Sequence, residues 1–134
     1  MATALYDKGR NAFLTGDIDW VNDDIRVIII DTDEYEPDLN QDTVLSDIPA
    51  AARVAALPLT NRTAVDGVAD ADDVVFPSLM GPSIEAVVIY QNTGDESTSR
   101  LIAFIDNAQG FPFEPDGRDM IIRWSDGPNK IFKL

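Results

Sequence analysis

Residues 84–106 read IEAVVIYQN, then TGDEST, then SRLIAFID, and this stretch decides how the chain folds. Two apolar runs, residues 86–90 and 101–105, flank a polar loop that contains Gly94, which is the signature of a β-hairpin. Both runs are almost continuously apolar instead of alternating with polar residues. A strand that is apolar on both faces must be covered on both faces. We therefore predict that this hairpin lies in the middle of the domain, between two covering layers.

The rest of the chain contains further short strands. Residues 25–31, IRVIIID, are the only other run that is so uniformly apolar, and we expect them to lie beside the hairpin. Weaker runs are separated by turn residues such as Asp66-Gly67, and they comprise residues 53–57, 60–65, 74–76, 120–124 and 130–134. About seven or eight short strands with one N-terminal helix predict a mostly β fold, an antiparallel β-sandwich or a partly closed barrel. No linker divides the chain, so residues 1–134 are predicted to form a single domain.

The predicted helix covers residues 4–14. Its apolar stripe consists of Ala2, Leu5, Tyr6, Gly9 and Phe13, at helical spacing. Thr3 is the expected N-cap and Gly16 the expected residue just beyond the C-terminus. Because a helix of this length is not stable alone, the stripe must dock on another element. Two targets are open, the protein's own sheet and a neighbouring subunit.

Composition excludes several classes of function. The 134 residues include no cysteine and no histidine, which excludes disulfides, thiolate and imidazole metal sites, and the usual Ser-His-Asp and Cys-His arrangements. The net charge of −14 disfavours binding to nucleic acid and to anionic membranes. We predict no enzymatic activity and no cofactor.

No targeting or membrane segment is expected. Charged residues (Asp7, Lys8 and Arg10) stand where a signal peptide would carry its apolar core. No apolar run approaches the roughly 20 residues of a membrane span. We therefore expect synthesis in the cytoplasm and no membrane partner.

Acidic residues crowd two segments, residues 31–38 and 66–73. They are interpreted either as solvated loops or as a weak cation site, since carboxylates are the ligands that calcium prefers. Neither segment has the spacing of an EF-hand loop. With 24 carboxylates and no rule for pairing two of them, no glycosidase pair can be selected. Catalytic and metal residues are both predicted to be none.

The two ends of the chain carry half of the ten basic residues: Lys8, Arg10, Arg123, Lys130 and Lys133. If the ends meet in space, they form a cationic and aromatic patch on an acidic body. Such a patch can dock onto an acidic partner or onto the acidic body of a second copy. The predicted protein interface comprises Leu5, Tyr6, Lys8, Arg10, Phe13, Lys130, Phe132 and Lys133.

Five segments carry a family resemblance. They are ALYDKGR with FL at residues 4–10 and 13–14, LSDIPAAARV at 45–54, DGVADADDV at 66–74, EAVVIY with TG at 85–90 and 93–94, and NKIFKL at 129–134. In this order they resemble a family of small tailed-bacteriophage virion structural proteins. Residues 33–42 and 111–118 depart from the family pattern, and both are predicted to be loops. The resemblance supplies no catalytic or ligand residues.

The resemblance implies a virion component made in the host cytoplasm. The expected role is a capsid decoration (cement) protein. The alternative is a tail, neck or fibre-associated component, including a carbohydrate-binding adhesin that uses Tyr90, Trp124 or calcium-binding loops. The implied partners are other virion proteins, namely the major capsid protein or tail and neck proteins, and further copies of this chain in a symmetric homo-oligomer.

Overall fold

The computed structural model describes residues 4–106, 111–125, 127–128 and 130–134. Within these ranges the chain forms one α-helix, α1 (Asp7–Leu14), and two 3₁₀ turns, Leu45–Asp47 and Ala50–Ala52. The same ranges hold ten strands: β1 (Ala4–Leu5), β2 (Ile25–Ile30), β3 (Arg53–Pro58), β4 (Thr63–Val65), β5 (Val68–Asp70), β6 (Val74–Phe76), β7 (Ala86–Gln91), β8 (Leu101–Ile105), β9 (Met120–Ile122) and β10 (Phe132–Lys133). The predicted mostly β fold is confirmed, and the antiparallel sheets do not close into a barrel.

A five-stranded antiparallel sheet with the order β1-β8-β7-β2-β3 forms the centre. The predicted hairpin is β7 and β8, and its expected neighbour is β2, which pairs with β7 along its whole length. Every residue of β7 and β8 is buried. Pro58 ends the edge strand β3, where a missing backbone N–H is tolerated. The hairpin is therefore at the centre of the domain, as predicted.

The central sheet has two apolar faces because successive side chains of a strand point to opposite sides. The first face includes Ile25, Val27, Ile29, Val87 and Ile89. The second face includes Ile28, Ile30, Ala86, Val88 and Tyr90. Each face belongs to its own apolar cluster, and fully burying one such aliphatic side chain contributes about 1.5–3 kcal/mol.

Regular elements cover the first face, and together we call them the first cover. They are α1, the three-stranded sheet β10-β5-β4 and the two-stranded sheet β6-β9. Large side chains fill the space beneath them, among them Trp20, Trp124 and Phe132. The central sheet thus packs against two smaller sheets with one helix beside them. This arrangement is the β-sandwich that the short strands predicted.

An irregular segment, residues 31–52, covers the second face, and we call it the second cover. Its apolar contacts come from Tyr35, Leu45, Ile48 and Ala52, which are all buried. The predicted loop at residues 31–38 is confirmed, and Asp33, Glu34, Glu36 and Asp38 are exposed, but Tyr35 is only 6% exposed and packs on the sheet. Most carboxylates of the segment are exposed, except the buried Asp31 and the half-buried Asp42, while its large apolar side chains face the sheet.

The helix begins later than predicted. Ala4–Leu5 pairs with Phe104 and Ala103 as β1, and Tyr6 is still extended at φ −70° and ψ 138°. The first residues thus satisfy their backbone groups at the edge of the sheet instead of in a helical turn. The predicted cap Thr3 lies outside the described residues. The C-terminal end of the helix matches the prediction, with Thr15 as the cap and Gly16 at φ 80°.

The helix docks on its own sheet, which decides between the two targets left open. A Cβ atom on Gly9 would lie 2.5 Å from the carbonyl oxygen of Leu101, so only glycine allows this approach. The backbone of α1 therefore lies directly against β8.

The C-terminal strands pair differently from their order in the chain. Residues 120–124 and 130–134 are close in the chain but do not pair with each other, since β9 pairs with β6 and β10 pairs with β5. Leu134 is held beside β5, where its N–H donates to the carbonyl of Gly67 at 2.9 Å. The turn Asp66-Gly67 is confirmed, with both φ angles positive. The predicted loop at residues 107–110 and parts of the turn at 125–129 (residues 126 and 129) lie outside the described residues.

Candidate functional site

The two ends of the chain meet, which is the condition on which the predicted interface depends. The ring of Phe13 on α1 lies 6.0 Å from the ring of Phe132 on β10, measured between centroids. Phe132 also meets Trp20 edge-to-face at 5.2 Å. Such aromatic pairs contribute about 0.5–1.5 kcal/mol beyond the area they bury. The helix and the last strand are thus fixed against each other.

Several members of the predicted interface are buried inside the protein. Leu5, Tyr6 and Phe132 are 7%, 0% and 5% exposed, so their placement on a partner-facing surface is wrong. The physical reason is that the short helix and strands need these side chains for their own core. Phe13 and Lys130 are half-buried.

We use the name terminal surface for the half-buried Phe13 and the exposed residues of the two ends: Lys8, Arg10, Leu14, Lys133 and Leu134. Leu14 and Leu134 are 85% and 57% exposed and were not predicted to belong to it. Their sequence signal is weak, because a single leucine at a helix end or chain end fits core and surface equally. Among the described residues, no basic side chain of this surface forms an ion pair. The ion pairs between described residues lie elsewhere in the fold: Arg26–Asp24, Arg53–Glu96 and Arg118–Asp116.

Arg123, the fifth basic residue of the ends, belongs to another part of the fold. It follows β9, which pairs with β6 in the two-stranded sheet and not with β10. We therefore do not include it in the terminal surface.

A concave site lies at one end of the central sheet, and we call it the sheet-end cleft. Its volume is about 520 Å³. It is lined by Thr32, Tyr35, Glu36, Pro37, Glu85, Phe104, Asp106, Phe111 and Pro112. Because the strands are antiparallel, the end of β2, the start of β7 and the end of β8 lie at the same edge. This order brings together three polar residues that flank buried runs, Thr32, Glu85 and Asp106.

Hydrogen bonds fix the Glu85 carboxylate in this cleft. Its Oε1 accepts from the backbone N–H of Thr32 at 3.0 Å and from the Thr32 hydroxyl at 2.9 Å. Its Oε2 accepts from the hydroxyl of Ser83. Beside the lining residues Glu85 and Pro112, Ile84 and Phe113 exchange backbone N–H···O bonds of 2.9 and 2.8 Å. Of the lining residues only Phe104 lies within a strand, and the others belong to the segments that flank the strands.

A chain of hydroxyl groups connects the start of the helix to the second cover. The Tyr35 hydroxyl donates to Oδ2 of Asp42 at 2.7 Å, so the Tyr6 hydroxyl donates to Tyr35, also at 2.7 Å. Burial is the main cause that raises the pKa of both tyrosines above the ordinary value. Both therefore stay neutral at physiological pH, and the chain serves as a structural tie.

Arg62, which no sequence motif singled out, organises the loop before β2. Its guanidinium donates to the carbonyl oxygens of Trp20 and Leu59 at 2.6 Å each, and to that of Val21 at 3.1 Å. The N–H groups of the guanidinium thus donate to several backbone carbonyl oxygens at once, and these bonds fix the loop before β2.

The residues considered for sugar or cation binding do not assemble into such sites. Trp124 is 8% exposed and its indole N–H donates to the carbonyl of Asp72, while Tyr90 is 4% exposed, so neither ring offers a face to a sugar. Within the described ranges, no group of three acidic side chains is placed to hold a metal ion. Arg100, just before β8, donates to the Gln91 amide oxygen at 3.0 Å.

The terminal surface and the sheet-end cleft are the two candidate sites. In the part of the chain that the structure describes, no helix is both long enough and apolar enough to cross a membrane. No protein-family model matches the chain, and no curated protein matches it.

Proposed function

We propose that the protein is a structural component of a bacteriophage virion, a capsid decoration protein that docks onto other virion proteins through its terminal surface. The contact between Phe13 and Phe132 carries this proposal, because it holds both ends of the chain together at one place. The resemblance of five sequence segments to small tailed-phage proteins supplies the virion context.

The electrostatics of the molecule favour an acidic partner. The chain has a net charge of −14, while Lys8, Arg10 and Lys133 lie exposed on the terminal surface. Positive groups on an otherwise negative body direct binding to one orientation and raise the rate of encounter. Leu14 and Leu134 add apolar contact area beside these charges. An acidic capsid protein, or the acidic body of a second copy, supplies the negative charge that such a surface attracts and a surface for the two leucines to contact.

The proposed role needs neither cofactor nor catalysis, and the chain has no histidine or cysteine to support the usual forms of either. A repeated docking protein needs a rigid body, and the doubly covered central sheet supplies one.

Counting copies in purified virions tests the location in the particle. A decoration protein is present in hundreds of copies, as measured from quantified protein bands against the major capsid protein. A few copies, or a few dozen, would overturn the capsid assignment and place the protein in the neck, the tail or a fibre.

A matched pair of double variants tests the terminal surface. Arg10→Glu with Lys133→Glu reverses two charges on the surface, and Arg118→Glu with Arg123→Glu makes the same change in net charge outside it. All four side chains are exposed, but Arg118 also pairs with Asp116 and lies over the ring of Phe113, so the melting curves of both variants are compared with the wild type before incorporation is scored. We expect only the first variant to be lost from particles in a virion incorporation assay. Wild-type incorporation of both would refute docking through this surface.

A further inference from the structure

We propose that the sheet-end cleft binds an arginine side chain presented by a partner polypeptide. The site lies on different residues from the terminal surface, so this inference does not depend on the proposed docking through the chain ends. Its support comes from the charge, the walls and the fixed geometry of the cleft.

The cleft attracts a cation. Of the described residues that line it, three are carboxylates (Glu36, Glu85 and Asp106) and none is a lysine or arginine. Among the described residues, Glu36 and Glu85 take part in no ion pair, so at least these two charges are not neutralised within the chain. An unscreened concave site of one sign raises the local concentration of the opposite charge.

The size and spacing of the site favour an organic cation over a metal ion. No three acidic groups of the described residues come close enough to ligate a metal. The volume of about 520 Å³ falls within the range of roughly 300–1,000 Å³ that small-molecule sites occupy. A cationic group on a long apolar side chain can contact the separated carboxylates, and its apolar stem can fill the space between them.

The walls suit the flat faces of a guanidinium group. Tyr35, Phe104 and Phe111 line the cleft together with Pro37 and Pro112. Tyr35 and Phe104 pack on each other at 6.4 Å between centroids and are only 6% and 2% exposed, so the half-buried ring of Phe111 is the aromatic face open to a flat ligand group. Arginine stacks on aromatic rings and is more weakly hydrated than the ammonium group of lysine. An arginine side chain is therefore preferred over lysine.

Glu85 is already oriented for such a ligand. It accepts three hydrogen bonds, two from Thr32 and one from Ser83, and all three donors are neutral. A carboxylate offers about four lone-pair sites, so Oε2 retains capacity for one further donor. Glu36 is exposed at the rim, where it can accept a second N–H of the same fork.

An NMR titration of the full-length protein tests the site, with Nα-acetyl-arginine methylamide as the probe. The control ligand is the citrulline analogue, which has nearly the same shape and no charge. We expect millimolar affinity for the arginine probe, as is normal for a single side chain, with shifts centred on Thr32, Glu36 and Glu85. The citrulline analogue should bind at least tenfold more weakly. Equal binding of the two, or no saturable shift with arginine in the tens-of-millimolar range, would overturn the proposal.

Matched variants locate the binding. Glu36→Gln removes one cleft charge at an exposed position and should weaken arginine binding about threefold, and Glu36→Gln with Glu85→Gln should weaken it at least tenfold. Glu34→Gln is the control, because it removes an exposed charge from the same segment outside the cleft. Loss of binding in the control to the same extent would show non-specific attraction. Self-association that is abolished by both Glu36→Gln and Arg10→Glu would identify a second copy as the occupant and overturn the assignment to a different polypeptide.

Discussion

The two covers bury the two apolar faces of the central sheet with different kinds of structure. The first cover consists of strands and a helix whose backbone groups are paired within regular elements. The second cover, residues 31–52, has two 3₁₀ turns and reaches the sheet with a few large side chains. Both bury an apolar face completely. The difference shows that a continuous apolar strand demands cover but does not specify what kind of element provides it.

The second cover is fastened at separate points. Leu45 and Ser46 donate backbone N–H groups to the carbonyls of Ser99 and Glu96 in the hairpin loop, at 2.8 and 2.9 Å. The segment closes on itself where the N–H of Asp31 donates to the carbonyl of Ala52 at 3.0 Å. Point attachments of this kind are the parts of a fold that open locally at low free energy.

Truncating one large side chain in each cover should give the largest effects and tests the comparison directly. Phe132→Ala removes a ring that contacts both Phe13 and Trp20, and it should lower the free energy of unfolding by about 3–5 kcal/mol. Ile48→Ala in the second cover should cost about 2–3 kcal/mol, at the low end for such a change, because an irregular segment can collapse into the cavity. Urea denaturation measures both. A larger loss for Ile48→Ala than for Phe132→Ala would reverse the comparison.

Replacing Gly9 should have the next largest effect and tests the tightest contact of the first cover. The new Cβ would meet the carbonyl oxygen of Leu101 at 2.5 Å, and backbone atoms cannot move away cheaply. Gly9→Ala should therefore destabilise the protein by about 1–3 kcal/mol, even though alanine is the better helix former. Asn11→Ala, at an exposed position of the same helix, is the control and should be neutral or slightly stabilising. A stabilised Gly9→Ala protein would show that α1 can shift away from β8.

The elements that could be predicted from the sequence are those in which a local pattern carries the whole signal. The solid apolar runs of β2, β7 and β8 predicted both their burial and their adjacency. The turn at Asp66-Gly67 and the end of the helix at Gly16 follow from the freedom of glycine at positive φ. These features do not depend on distant partners.

The features that could not be predicted depend on distant partners. Strands of two or three residues such as β9 and β10 carry no information about which strand they pair with. Tyr35 is a single aromatic residue among carboxylates, so its local sequence does not indicate burial. It is buried because it packs on the second apolar face of the central sheet. The sheet-end cleft was missed for the same reason, although its polar residues mark the ends of buried runs. Once the strand order is known, Thr32, Glu85 and Asp106 must lie together.

Removing one hydroxyl from the tyrosine chain should have a moderate effect and tests how the second cover is held. Tyr35→Phe leaves the buried hydroxyl of Tyr6 and the carboxylate of Asp42 each without this partner. A buried polar group without a partner costs about 1–3 kcal/mol, which urea denaturation will detect. Tyr90→Phe is the control: among the described residues the Tyr90 hydroxyl forms no hydrogen bond, so its loss should change stability by less than about 0.5 kcal/mol. Equal effects of the two changes would show that the hydroxyl chain does not hold the second cover.

Alkaline pH should produce the smallest effect, and the part of it that depends on Tyr6 and Tyr35 acts on the second cover. Burial raises the pKa of Tyr6 and Tyr35 in the folded protein, whereas both ionise near pH 10 in the unfolded chain. Above about pH 10 the unfolded state therefore binds fewer protons than the folded state, and stability falls as pH rises. The contribution is fully present below about pH 10, and we expect a loss of about 1 kcal/mol between about pH 8 and about pH 10.5. A variant with Tyr6→Phe and Tyr35→Phe starts from lower stability but should lose less over the same interval, as measured by urea denaturation at each pH. Lysine deprotonation affects both proteins equally, so an identical pH slope in the two would mean that the tyrosines already ionise freely, and hence that the second cover opens to solvent without unfolding the sheet.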